Sequence, residues 1–414
     1  MMRWAKNPLA QIRDILAFRV TGGGRIILAA FVMSALVGQI SLSIPIYHLA
    51  MALGAVYMVA FFCGLLFWPR LDISGGFPDR AVAGRPIVSE FKITNLRRLP
   101  ALDASVGVFN VDNSLQIGES PLAPLLRHNE SALVRLELLP TRRGIYRLSP
   151  PRAFTTFPFN MLRSGSRPRG ESTLVVAPFF NPLAGVNLPI GHKHQPGGVV
   201  MTSMVGESPE YIGNREYRPG DSTRRIDFRS WARIGKPVVR EYQEEYYCRI
   251  ALILDTFVGG SMLKRKQTHA DFEAAISLAA SIADAVSRGE FLIDIFAAGE
   301  QLHVFRSGRH RANFENVLEI LACVTATNRN PFPGIMPALN DELENVSTVV
   351  GVFIDWDPTR RDLVRSCVQA GCAARVIIVR DAKPTVEVGE DESWAGPITV
   401  LSPKDVLAGG IEQL

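Results

Sequence analysis

The chain has 414 residues, enough for two or three domains that each bury a core. Its 45 basic and 40 acidic residues leave a formal net charge of only +5, a balance that does not call for a nucleic-acid partner. The five cysteines, at 63, 248, 323, 367 and 372, form neither a disulfide framework nor a zinc-like pairing, which fits a reducing compartment.

From Ile26 to Trp68 there is no Asp, Glu, Lys or Arg. One helix of that length would run about 65 Å, roughly twice the hydrocarbon core of a bilayer. Two passes over 26–43 and 46–68 fit better, with Gln39, Ser41, Ser43 and Pro45 as a polar, helix-breaking turn. The run is too long for a signal peptide, and no cleavage pattern comes after it. Arg3, Lys6, Arg13, Arg19 and Arg25 precede the first pass, and Arg70, Arg80 and Arg85 come after the second. The positive-inside tendency therefore places both ends in the cytoplasm. Residues 1–70 are expected to be an N-terminal tail and a transmembrane helical hairpin, with Trp68 and Arg70 as interfacial anchors.

Over 71–180 the pattern changes to period two. Ile87, Phe91 and Ile93 alternate with Glu90, Lys92 and Thr94, and Val134, Leu136 and Leu138 alternate with Arg135 and Glu137. Polar turns at 110–114 and 141–144 separate such runs, so an antiparallel β-sandwich is expected. Residues 181–214, rich in Pro, Gly, Ser and Asn, read as a linker or long loop. His192 and His194 within it have no carboxylate or thiolate close by in sequence and read as solvated.

The most charged stretch is 215–247. In 215–245, fourteen of thirty-one residues are charged, interleaved with Tyr217, Ile226, Phe228, Trp231, Ile234, Val238 and Val239. Such a segment has an apolar side. Pro219, Gly220 and Asp221 predict a tight turn. Asp221 or Ser222 then caps a short helix over 223–233, Gly235-Lys236-Pro237 ends it, and a strand starts at Val238. One reading is an internal clasp in which Arg224, Arg225, Arg229 and Arg233 pair with Asp221, Asp227, Glu241, Glu244 and Glu245, and which fastens the segment onto the C-terminal domain. The other is a docking face whose guanidinium groups offer bidentate contacts. Arg215, Tyr217, Pro219, Gly220, Arg240 and Trp231 belong to the stretch under either reading.

The run REYRPGD…RRIDF…AR…VREYQEE closely resembles the signature of the domain-of-unknown-function 58 family, with Phe228 where that family usually has Trp. A second stretch, RRGIYRLSPPRAFTTFPFNML, resembles another block of the family, with Asn160 at a glycine position of its turn. Asn is the next best residue in a left-handed turn, and a core strand with its corner is the meaning favoured here. The resemblance implies a bacterial inner-membrane protein carrying a degenerate von Willebrand factor A-like domain. It also implies company with a MoxR-type AAA-plus ATPase and other membrane proteins, in assembly or maturation of envelope proteins.

Residues 248–414 alternate strand and helix. Strands are predicted at 250–255, 291–298, 302–305, 349–355, 375–379 and 398–401. A capping box at 268–271 opens one helix, and further helices span 311–326 and 359–370. This order implies a mostly parallel sheet with helices on both faces, a doubly wound α/β domain.

In such sheets ligands sit beyond the C-terminal strand ends, where Asp255, Asp355 and Asp357 fall. Von Willebrand factor A domains hold Mg²⁺ there through Asp-x-Ser-x-Ser, a distant Thr and a distant Asp, and the resemblance implies a degraded form of that site. Here Phe257 and Gly259 occupy the serine positions, unless Gly260-Ser261-Met262 takes that role after an insertion. Asp355 suits the distant carboxylate, and the threonine has no counterpart. Asp255, Ser261 and Asp355 are the metal candidates, and Mg²⁺ the cation they would take. The favoured expectation is no cofactor, with Asp255 capping neighbouring backbone. No phosphate loop, zinc-protease or nucleophile-elbow motif is present. His269, His303 and His310 have no sequence-visible nucleophile partner. A non-enzymatic, membrane-anchored binding or adaptor protein is the expected function, and a metal-dependent ligand-binding or hydrolytic protein using Asp255 is the alternative.

Overall fold

The structure, a computed structural model, describes residues 18–40, 44–165, 170, 172–189, 211–242, 248–258, 262–288, 291–298, 302–306, 312–343 and 346–414. It divides into two units, Met1–Phe179 with Leu318–Cys323, and Phe180–Val317 with Val324–Leu414.

The first unit opens with two apolar helices, α1 (Gly22–Ile40) and α2 (Ile44–Leu66), packed against one another. Thr21 starts α1: its hydroxyl oxygen accepts the Gly24 N–H at 2.9 Å, filling an N-cap role. Pro45 stands in the first turn of α2, where its missing N–H costs nothing. Among the described residues one helix, the 22-residue stretch Pro45–Leu66, is long and apolar enough to cross a membrane. The apolar part of α1, Gly22–Gly38, is shorter.

The strands of this unit are β1 (Leu71–Ser74), β2 (Arg80–Val82), β3 (Ile87–Asn95), β4 (Ala101–Gly107), β5 (Leu115–Ile117), β6 (Ala123–Leu126), β7 (Ser131–Pro140), β8 (Gly144–Leu148), β9 (Arg152–Thr155), β10 (Ser164–Gly165) and β11 (Ser172–Ala177). They form antiparallel sheets in the orders β1-β3-β7-β5 and β10-β9-β4-β6, and a smaller sheet β2-β11-β8 in which β2 and β11 run parallel. The period-two pattern explains the burial. Phe91 and Ile93 of β3 and Val134 and Leu136 of β7 point inward onto Ala101, Ala104 and Val106 of β4 and Ala153 of β9. Glu90 and Arg135 face outward as an exposed ion pair at 2.9 Å.

The corner after β9 sits against the helix ends. Phe159 and Asn160 both have left-handed backbones, φ 64° and 50°, so the turn survives with Asn at the expected glycine position. The Thr21 hydroxyl donates to the carbonyls of Asn160, at 2.5 Å, and Met161, at 3.1 Å. Val20 bridges Leu162, and the rings of Phe67 and Phe157 meet edge to face at 5.6 Å. The block is thus more than a sheet corner, because it carries both helices.

In the second unit residues 180–189 form a loop tied to its body. Asn181 donates to Val406 O, Arg288 to Leu183 O, and Thr348 to Pro189 O. Residues 190–210, with His192 and His194, lie outside the described residues. The next element is a hairpin of β12 (Tyr211–Glu216) and β13 (Val238–Tyr242) in antiparallel register. Between them lie a 3₁₀ turn at Thr223–Arg225 and the helix α3 (Phe228–Ile234).

A six-stranded sheet completes the unit, from β14 (Cys248–Leu254), β15 (Phe291–Ala298), β16 (Leu302–Arg306), β17 (Thr348–Phe353), β18 (Ala373–Val379) and β19 (Ile398–Leu401). Its order is β16-β15-β14-β17-β18-β19, parallel except for the edge strand β16. Its helices are α4 (Met262–Arg288), α6 (Phe332–Leu343), α7 (Pro358–Gln369) and α8 (Pro403–Ala408), while α5 (Ala312–Cys323) begins in this unit and belongs to the first from Leu318 on. Ala251 and Ile253 of β14 share a core with Phe332, Leu339, Leu363 and Val364 of α6 and α7. The alternate residues Ile250, Leu252 and Leu254 face the other side, where α4 packs on the sheet. Helices therefore cover both faces, and every residue of β17 is buried.

Two helices differ from the sequence pattern. Helix α4 begins at Met262, ahead of the predicted capping box, because the intervening Leu263, Lys264, Arg265, Lys266 and Gln267 are good helix formers. Helix α6 has no counterpart among the predicted elements, since Pro333, Gly334 and Pro337 argue against it. Asn330 starts it by accepting the Phe332 N–H at 3.0 Å. Burial of Phe332, Leu339 and Leu343 offsets the cost of an interior proline, about 3 kcal/mol.

Candidate functional site

In the charged hairpin the turn forms where Pro219 and Gly220 predict it, with Gly220 at φ 107° and the Asp221 N–H donating to Arg218 O. The predicted single helix is split. Ser222 makes no side-chain cap, and Asp227 caps α3 by accepting from the Arg229 and Ser230 N–H groups. Ile226 stays extended to bridge Val239, which interrupts the helix. Gly235, left-handed at φ 75°, ends α3 as expected.

The clasp has other partners than those predicted. Asp221 is gripped by Arg215, both guanidinium nitrogens donating, at 2.7 and 2.8 Å. That bond and the Arg218 N–H hold its carboxyl down at about 2. Asp227 accepts from the Ser230 hydroxyl at 2.8 Å and the Asn214 amide at 3.1 Å, which hold it at about 2, and Arg240 lies 3.5 Å away. The Tyr217 N–H donates to Pro237 O, closing the hairpin. Glu241 stands opposite Gly213 in β13, while Glu244 and Glu245 lie outside the described residues. Arg224, Arg225, Arg229 and Arg233 have no ion pair among the described residues. Phe228, Trp231 and Ile234 are 68%, 37% and 56% exposed, and the two rings stack at 6.1 Å. Helix α3 thus carries an exposed aromatic face bordered by arginines.

The strand-end carboxylates have a different surrounding. Asp255, directly after β14, is fully buried. Its oxygens accept the backbone N–H groups of Phe257, at 2.9 Å, and Ile354, at 3.0 Å, as expected of a backbone cap. Its third donor is Arg360 of α7, also buried, with Nε 2.7 Å from Oδ2. The rest of the guanidinium is equally engaged. Nη1 donates to Asp357 at 2.6 Å, Nη2 to Phe257 O at 3.1 Å, and the rings of Phe257 and Phe332 each lie 5.4 Å from its centre. Burial works against the Arg360 charge, but Asp255, and behind it Asp357 and Asp355, outweigh burial and hold the group above its ordinary range. Asp357 caps α7, with Pro358 in the first turn, so the fold aims Arg360 back at the strand ends.

Asp355 accepts the Thr385 N–H at 2.9 Å and the Thr385 hydroxyl at 2.7 Å, and pairs with Arg380. These groups overcome burial and hold its carboxyl low. Asp271 of α4 is buried, and burial pushes its carboxyl up to about 6 against the pull of Arg380. A divalent cation needs about six oxygens in its shell. At Asp255 a guanidinium stands in that place and Phe257 lies over it, so the residues present do not fit a metal. Ser261 lies outside the described residues, which hold no metal-binding group of three or more His, Cys, Asp or Glu. Sequence reasoning misses Arg360 and Thr385. The only local sign of Arg360 is its place three residues after a capping Asp that precedes Pro358.

These groups come together on an α/β sheet joined to a charged hairpin, and known proteins match there. Residues 213–385 match the family described as a protein of unknown function, DUF58, in agreement with the resemblance carried by the charged stretch. The uncharacterized protein YeaD of Bacillus subtilis (strain 168) is 22% identical over 163 residues, 39% of this chain and 38% of that protein. The chain therefore spans well under half the length of that relative. Among solved structures, the CARDB domain of PF1109 from Pyrococcus furiosus covers 26% of this chain and 89% of its own, at 16% identity and a TM-score of 0.19. The human CEP192 PapD-like domain 7 covers 27% and 85%, at 14% identity and 0.19. At such scores neither carries an argument.

Proposed function

We propose that this chain is a membrane-anchored binding module, an adaptor and not an enzyme. The observation that carries the reading is the outer face of α3, where Phe228, Trp231 and Ile234 are exposed beside Arg224, Arg229 and Arg233. Aromatic and arginine side chains are the usual anchors of protein interfaces, and a clasp closed by Arg215, Asp221 and Asp227 leaves them free to serve. The partner class implied by the family resemblance is a MoxR-type AAA-plus ATPase, with envelope proteins as the clients.

We read the second unit as von Willebrand factor A-like. The strand order, third-second-first-fourth-fifth-sixth with an antiparallel edge, supports that assignment. In this reading Arg360 supplies the positive charge that a cation supplies elsewhere, and no observation favours the metal-dependent alternative. The anchor is a two-pass hairpin in a bacterial inner membrane. Ile26, Met33, Met51 and Leu66 are apolar and exposed, as lipid-facing residues are.

Crosslinking in native membranes tests the proposal. Trp231→Ala and Arg233→Ala, both at exposed positions, should leave the melting temperature within about 2 °C while reducing capture of the ATPase at least tenfold. Undiminished capture by both variants would sink the docking role of α3.

A further inference from the structure

We propose that the corner 157–160 is a membrane-interface anchor, with Phe159 seated at the headgroup–acyl boundary of an anionic bilayer. The inference rests on the membrane reading under the proposed function. Phe159 is 63% exposed and holds φ at 64°, so a bulky ring stands outward on a backbone that favours glycine. Neither feature stabilises the fold, and a residue kept in a costly conformation without core contacts points to a role outside the core.

Its surroundings identify the occupant. The corner is bound to both helix ends: Asn160 and Met161 carbonyls take the Thr21 hydroxyl at the start of α1, and Phe157 meets Phe67 just after α2. The apolar stretch Pro45–Leu66 has 22 residues, about 33 Å of helix and so one hydrocarbon thickness. Its end, and hence the corner beside it, falls at the boundary. Arg19, Arg25, Arg70 and Trp68 are exposed around the same ends, with the Arg19 guanidinium 5.5 Å above the Trp68 ring. A belt of cations and aromatics complements anionic headgroups, while Phe159 supplies the apolar wedge.

The test places the photoreactive residue benzoylphenylalanine singly at Phe159, Met51 and Val88 of the full chain, in bilayer discs of phosphatidylglycerol and phosphatidylethanolamine. Met51 is 74% exposed on α2. Val88 is also exposed, but Asn95 is the β3 residue that pairs with Leu71 just past α2, and Val88 lies seven residues, about 23 Å, farther along the strand. Lipid adducts are expected at 51 and 159, and at least tenfold fewer at 88. Adducts at 51 with none at 159, or protein adducts alone at 159, would overturn the anchor while leaving the membrane reading intact. No adduct at 51 or 159 would overturn both. A companion variant separates anchoring from folding. Phe159→Gly relieves the left-handed backbone, so melting should hold or rise, while quenching of Trp68-region fluorescence by nitroxide lipids should fall. A lowered melting point with unchanged quenching would assign Phe159 a structural role instead.

Discussion

A carboxylate buried as deeply as Asp255 needs a fixed counter-charge, and Arg360 reaches it from the first turn of α7. Desolvation of such a pair is expensive, so its value shows when one partner is lost and the other stays buried alone. Arg360→Met should lower stability to chemical denaturation by about 3–5 kcal/mol, the usual cost of breaking a buried pair. Adding Asp255→Asn should recover part of the loss, because the stranded charge is then gone. The same geometry predicts that millimolar Mg²⁺ leaves the wild-type melting temperature unchanged. A Mg²⁺-dependent rise that Asp255→Ala abolishes would show that a cation displaces the guanidinium.

At the level of elements, the mounting of α1 depends on a close approach. A Cβ on Gly24 would collide with the Met161 carbonyl oxygen, whereas one on Gly22 would meet nothing within 4 Å. Gly24→Ala must therefore push α1 off the corner, at a cost of about 1–3 kcal/mol typical of overpacking. Gly22→Ala should be neutral or slightly stabilising, since Ala is the better helix former. Unfolding of the two variants in the same micelles checks the contrast, and equal stability would mean that the corner does not hold the helix. The charged hairpin shows the complementary case. There Ile226 leaves the helical path to pair with Val239, and the helix restarts under a new cap at Asp227.

For the whole molecule the orientation is the testable quantity. In the two-pass arrangement proposed above, the chain returns to the side on which it started, and the positive-inside tendency of the basic residues around both helix ends favours the cytoplasm for that side. Protease added to sealed right-side-out spheroplasts should then leave residues 71–414 intact. Digestion of that portion from outside would exclude the two-pass arrangement.

What the sequence determined by itself was whatever a short period or a single residue encodes. The charge-free run after Arg25 announced apolar helices, alternation in β3 and β7 announced a buried face, and alternating strands and helices announced the six-stranded sheet. Gly235 as a helix stop and Asn160 in a left-handed turn were legible for the same reason, since backbone sterics act within one residue. Only the tertiary structure decided the partners. Asp255 and Arg360 are 105 residues apart in sequence, and Thr21 and Met161 are 140 apart, so no local pattern relates them. Helix α6 forms despite its prolines because it buries Phe332, Leu339 and Leu343 in a core that exists only once β14, β17 and α7 have assembled. The arginines of the signature stretch were legible as charge, but which of them would close on Asp221 and Asp227 was not. That choice comes from the register of β12 against β13, which places Arg215 and Arg240 beside the carboxylates and leaves Arg224, Arg229 and Arg233 exposed to solvent.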